Sequence, residues 1–127
     1  EVIGAPWLDG MRLARALNRA NLPGVRFVPI EFTPDASRFQ GQRCGSLNVI
    51  ITNRITFRSV RTGLEIACQL RRLYPETWDA RAYDRLLGNK QALDALLGGK
   101  TAAEIESLGE AELREFLERR SRFLLYR

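Results

Sequence analysis

The sequence predicts a single α+β domain: a small mixed or antiparallel sheet of few strands packed with about five helices, its C-terminal half mostly helical. Three observations carry this expectation. Two runs rich in Val, Ile and Phe, residues 25–32 and 46–52, have the length and composition of strands. Several segments repeat apolar residues at helical spacing behind capping residues, and all but the first of them lie past residue 60. With 127 residues, 45% hydrophobic and 28% charged, the chain is one domain long and balanced for a packed core rather than a disordered tail.

Asp9 precedes a segment in which Leu13, Ala14, Leu17 and Ala20 recur at helical spacing, with Arg12, Arg15 and Arg19 on the other side. An amphipathic helix with an Asp N-cap is expected there. Pro23 and Gly24 turn the chain into the first strand run. Pro29 inside that run lacks a backbone donor, which assigns the strand to a sheet edge or a bulge. A loop with Pro34, Asp35, Gly41 and Gly45 leads to the second run, where Leu47, Val49 and Ile51 share a face. Two strands alone are marginal, so a third is expected near Val2 to Gly4 or at the C-terminus, or else cover from a neighbouring domain.

Thr62 and Glu65 form a capping-box pattern that opens the next helix, with Ile66, Ala67, Leu70, Leu73 and Tyr74 as its apolar stripe before Pro75. A linker with Trp78 and Tyr83 follows. Asn89 then caps a short helix that Gly98 and Gly99 stop, and Thr101 with Glu104 repeats the capping box. The last helix, residues 110–121, is expected to turn Leu113, Phe116 and Leu117 inward. Glu110/Arg114, Glu115/Arg119 and Glu118/Arg122 are its i,i+4 pairs in water. Residues 123–126 make an apolar tail that has to dock.

Composition also excludes. No apolar run approaches the ~20 residues of a membrane-spanning helix. Residues 1–7 show neither a basic start nor a cleavage site, and so abrupt an opening reads as that of a fragment. The chain has no His, which removes Ser/His/Asp and Cys/His nucleophilic catalysis within it. Cys44 and Cys68 have no second ligand nearby, against a metal site. Two buried free thiols are the favoured reading, a disulfide remaining open in an oxidising compartment. Nothing calls for a cofactor. Glu31, Asp35, Asp79 and Asp84 are the only acids away from obvious helix surfaces and caps, and nothing singles out a pair for glycoside chemistry, so turn or capping roles are expected.

The net charge of +5 is uneven. From Ala36 to Leu64 there are five arginines, Arg38, Arg43, Arg54, Arg58 and Arg61, and no acid. If the second strand and its loops gather these guanidinium groups, the region suits an anionic ligand, since the arginine fork grips carboxylates and phosphates bidentately. A generally Arg-rich, solvated surface is the alternative. Nucleic acid is disfavoured: there is no Cys/His finger, no outward basic helix of high density and no paired stacking aromatics. The glycines form neither G-x-G-x-x-G nor a P-loop.

An ordered series of blocks then becomes informative: Gly4-Ala5-Pro6-Trp7-Leu8-Asp9, Leu17-Asn18, Leu22-Pro23-Gly24-Val25-Arg26-Phe27 and Phe32-Thr33-Pro34. Gly41-Gln42-Arg43-Cys44-Gly45, Thr52-Asn53-Arg54 with Phe57, Gly63 with Leu73-Tyr74-Pro75, residues 84–88 and Phe123-Leu124-Leu125-Tyr126 follow in the same order. Over nearly its whole length the chain resembles the C-terminal part of the NamZ/YbbC-type exo-β-N-acetylmuramidases. The resemblance implies that residues 1–127 are a single auxiliary domain helping to wall a cleft. It also implies that a Rossmann-like N-terminal catalytic domain of the same polypeptide, absent here, is its partner. The implied activity is release of terminal N-acetylmuramic acid from peptidoglycan fragments, outside the cytoplasm, in cell-wall turnover.

The muramic lactyl carboxylate suits an arginine fork. Arg54 is the first choice, at the family's Asp-Arg position although Asn53 replaces the Asp, with Arg43 and Arg58 beside it. Trp7, Phe57 and Tyr83 are either sugar-stacking platforms or core residues. The alternative function is a non-catalytic peptidoglycan-binding or dimerisation module.

Overall fold

The computed structural model describes residues 1–36 and 38–124, with Leu86 described in its backbone alone. Three strands, β1 (Val2–Ala5), β2 (Val25–Phe32) and β3 (Cys44–Ile51), form an antiparallel sheet in the order β1-β3-β2. The expected third strand is therefore the N-terminal one. Pro29 lies opposite Leu47 on β2, an edge strand, where its missing donor costs no ladder bond.

Helix α1 (Gly10–Arg19) lies on one sheet face. Asp9 caps it as expected, accepting from the Arg12 N–H at 2.9 Å. Leu13, Ala14 and Leu17 bury against Phe27, Val25 and Leu47, with Ala5, Leu8 and Leu70 closing this first core. Asn18 spends its side chain on the sheet edge. Its Nδ2 donates to the Phe27 carbonyl at 2.8 Å and its Oδ1 accepts from the Phe27 N–H at 3.1 Å. It thus stands in for the strand that β2 lacks on that side.

Helix α2 (Ser59–Leu73) departs from expectation at its start. It begins before Thr62, whose buried hydroxyl donates to the Arg58 carbonyl at 2.8 Å inside the helix. Glu65 accepts from Gln69 instead of closing a capping box. The chain reaches this start through a turn fixed from two sides. Asn53 Oδ1 accepts from the Ile55 and Thr56 N–H groups, and the Gly24 carbonyl accepts from the Thr52 and Asn53 N–H groups. Gly24 has φ +69°, and a Cβ there would lie 2.4 Å from the Asn53 carbonyl oxygen, so both conformation and space require glycine.

The segment read as a linker contains a 3-10 turn (Ala80–Tyr83) and a one-turn helix α3 (Asp84–Leu87). Helices α4 (Lys90–Leu97) and α5 (Ala102–Ser107) carry the caps foreseen at Asn89 and Thr101. The α4 stop is a Schellman closure: the Lys100 N–H donates to the Ala95 carbonyl and the Gly99 N–H to the Leu96 carbonyl, with Gly99 at φ +81°. Leu64, Ala67, Ala80, Leu96, Ala102 and Ile105 form a second core between α2, α4 and α5. Trp78 packs against both cores.

Helix α6 (Glu110–Ser121) is the larger correction. Leu113, Phe116 and Leu117, expected to face inward, are 55%, 52% and 46% exposed. Of its three expected pairs, Glu118 and Arg122 meet at 3.8 Å. Phe123 and Leu124 are exposed rather than docked, and the other half of the expected tail, residues 125–126, lies outside the described residues. On the sheet face away from α1, Val2, Val28, Phe32 and Ile50 lie partly in solvent, while Cys44 and Ser46 on the same face are fully buried. Among the described residues no helix is long and apolar enough to cross a membrane.

Candidate functional site

The six residues singled out from sequence do not meet at one place. Arg43 precedes β3 at one sheet end and pairs with Glu31 on β2, which raises its pKa by hydrogen bonding and charge. Arg54 follows β3 at the other end, exposed in the turn before α2. At about 3.3 Å per residue the eight-residue strand holds them on the order of 23 Å apart, too far for one monosaccharide to bridge.

Arg58, at the N-cap of α2, reaches Glu106 on α5 at 3.1 Å, and Arg61 reaches the other oxygen of the same carboxylate at 3.3 Å. The acid-free window is thus partly neutralised by an acid far along the chain. Asn53 gives its oxygen to the turn backbone, so its effect on Arg54 is to fix the loop that carries it. Phe57 packs against the first core.

The aromatic candidates lead elsewhere. Trp7, 36% exposed, sits 5.3 Å from Tyr74 between ring centroids. Tyr74 in turn bonds both backbone groups of Asp9, accepting from its N–H at 3.0 Å and donating to its carbonyl at 3.3 Å. Trp78 meets Tyr83 edge-on at 5.9 Å, and burial raises the Tyr83 pKa.

Trp7, Phe39 and Trp78 wall a cavity of about 360 Å³, to which Arg38 and Asp79 bring charged groups. Its volume and its aromatic lining with few polar groups are those of a small-ligand pocket. Arg38 lies 5.5 Å from the Phe39 ring and makes no ion pair among the described residues. Asp79 accepts from the Arg81 N–H to open the 3-10 turn. Such a pocket can stack an aromatic ring on a sugar face and offer a guanidinium to a carboxylate.

Sequence reading placed Trp7 among the candidates, Arg38 in the acid-free window and Asp79 among turn or capping acids, but missed Phe39 and Trp78 as pocket walls. The pocket is built from loops and a short turn, which leave no periodic trace.

Of the four acids considered for glycoside chemistry, Glu31 is ion-paired, Asp79 caps, and Asp84 opens α3. The two cysteines are free thiols, Cys44 buried and Cys68 half-buried. Among the described residues no cluster of three or more His, Cys, Asp or Glu side chains is placed to hold a metal ion.

Geometry of this kind defines a small α+β domain with a ligand-sized pocket. The chain belongs to the family described as "Exo-beta-N-acetylmuramidase NamZ, C-terminal", which matches residues 1–126. It is 33% identical to the peptidoglycan beta-N-acetylmuramidase NamZ of Bacillus subtilis (strain 168) over 129 aligned residues. The match takes in 99% of this chain and 31% of that protein, so the chain spans about a third of that relative's length. Its fold is similar to part of a crystal structure of a DUF1343 family protein from Bacteroides fragilis. The TM-score is 0.68 at 21% identity, over 99% of this chain and 35% of that one.

Proposed function

We propose that this chain is the auxiliary, cleft-forming domain of an exo-acting glycoside hydrolase. The enzyme releases terminal N-acetylmuramic acid from peptidoglycan fragments, outside the cytoplasm, in cell-wall turnover. Its catalytic groups lie on an N-terminal domain of the same polypeptide. One observation carries this reading: the chain is matched almost end to end by a muramidase relative about three times its length.

The partly exposed apolar residues of the sheet face away from α1 support it, because Val2, Val28, Phe32 and Ile50 suit packing against more polypeptide. In this reading Trp7 and Trp78 form the hydrophobic wall and Arg38 is the carboxylate partner in the pocket. Arg54, exposed on its braced turn, is the alternative carboxylate partner. Arg43 and Arg58, each already paired, have weaker claims.

The test is kinetic, on the longer polypeptide with a chromogenic β-N-acetylmuramide. Trp7→Ala and Arg38→Gln are expected to raise KM by at least tenfold with kcat largely retained, the signature of lost substrate binding. An Arg54→Ala effect of that size with Arg38→Gln silent would move the carboxylate partner to the β3–α2 turn. Turnover by residues 1–127 alone would overturn the auxiliary role. A second reading, a module that pairs two copies, is favoured by the exposed Leu113, Phe116 and Leu117 stripe on α6.

A further inference from the structure

Helix α1 carries three arginines and no acid. Arg12, Arg15 and Arg19 follow i, i+3, i+7 spacing, so they share a face, with Cα atoms about 4.5 and 6 Å apart along the axis. All three are exposed and line a cavity of about 740 Å³ between α1 and α2, to which α2 adds Arg72, Glu65 and Gln69. None of the four guanidinium groups makes an ion pair among the described residues. The groove also holds two acids, which keep their charge: Asp9 accepts from the Arg12 N–H, and Glu65 accepts from Gln69 Nε2 at 2.7 Å.

Four guanidinium groups against the carboxylates of Asp9 and Glu65 leave the groove lining with a net charge of +2. The excess sits on the exposed arginine row of α1, where a negatively charged guest relieves it.

We propose that the α1/α2 groove is an anion-binding site. Its ligand is extended, with two or more carboxylate or phosphate groups about 5 Å apart. Planar guanidinium forks at helical spacing grip successive anionic groups. The site is independent of the muramidase reading, for it uses neither the aromatic pocket nor Arg54.

Calorimetric titration of this chain at low salt with inorganic tripolyphosphate and, separately, with a tetraglutamate peptide tests it. Saturable binding of at least one probe is expected, weakened tenfold or more in R12Q/R15Q/R19Q and unchanged in R114Q/R119Q on the exposed face of α6. The stronger probe tells phosphate from carboxylate chemistry.

Glutamine is a good helix former, so the triple variant should keep its circular dichroism. If it unfolds, the single variant Arg72→Gln replaces it, with at least a threefold loss expected. Absence of saturable binding, indifference to the α1 and Arg72 substitutions, or an equal loss in R114Q/R119Q would each overturn the proposal.

Discussion

Replacing Asn18 by Ala tests whether one side chain stabilises the open edge of the sheet. Phe27 is only 3% exposed, and its N–H and carbonyl both point away from β3 toward Asn18, at 3.1 and 2.8 Å. Val49, opposite Phe27, shows the matching pattern, for its own N–H donates to the Glu1 carbonyl on the β1 side.

Each lost bond removes about 1 kcal/mol, and each backbone group left without water or partner costs on the order of 1–3 kcal/mol. Relaxation at an edge lets some water in, so the expected total is about 2–4 kcal/mol, a large share of a stability of about 5–15 kcal/mol. Urea unfolding followed by far-ultraviolet circular dichroism measures it as a midpoint shift of about 1–2 M. Asn18→Leu keeps the volume and removes both bonds, so it should cost within about 1 kcal/mol of Asn18→Ala. If Asn18→Leu is near neutral while Asn18→Ala is costly, packing is responsible and the edge-bonding argument fails.

Three further outcomes are expected. Gly24→Ala places a Cβ 2.4 Å from the Asn53 carbonyl oxygen at φ +69°, so a loss of about 1–3 kcal/mol should appear as a lower thermal midpoint. An unchanged midpoint would show that the β3–α2 turn can move. Burial first, and the Glu65 charge second, push the Cys68 thiol from its usual 9.0 up to about 11. The raised value favours the protonated thiol in the folded state, so its stabilisation is whole below pH 9.0 and is lost as pH rises toward 11. Labelling of Cys68 by a thiol reagent at pH 8 should accordingly be on the order of 100-fold slower than in the unfolded chain, and a titration midpoint near 9.0 would contradict this. The open stripe of Leu113, Phe116 and Leu117 should make this chain associate as concentration rises, and L113E/L117E should keep it monomeric in sedimentation velocity. A wild-type chain that stays monomeric throughout would count against that stripe as an interface.

The sequence determined by itself whatever depends on neighbours a few residues away. Asp9, Asn89 and Thr101 cap where they were read, because a cap needs only a short side chain and an N–H two or three positions on. Pro29 marked an edge strand because a missing donor excludes a central place. The same local logic failed at Thr62, where tertiary packing buried the hydroxyl and a distant turn at Asn53 set the helix start.

Only the tertiary structure decided what lies far apart in sequence. Glu106 pairs with Arg58 and Arg61 from 45 and more residues away and offsets part of their charge. Trp7 and Trp78 meet around one pocket although α1, β2, β3 and α2 separate them in the chain. Arg43 and Arg54, close in sequence, end up at opposite ends of a strand because an extended chain converts sequence separation into length. Caps and edges are written in short-range geometry. A site is written in which surfaces pack together, and that is fixed only when the two cores close.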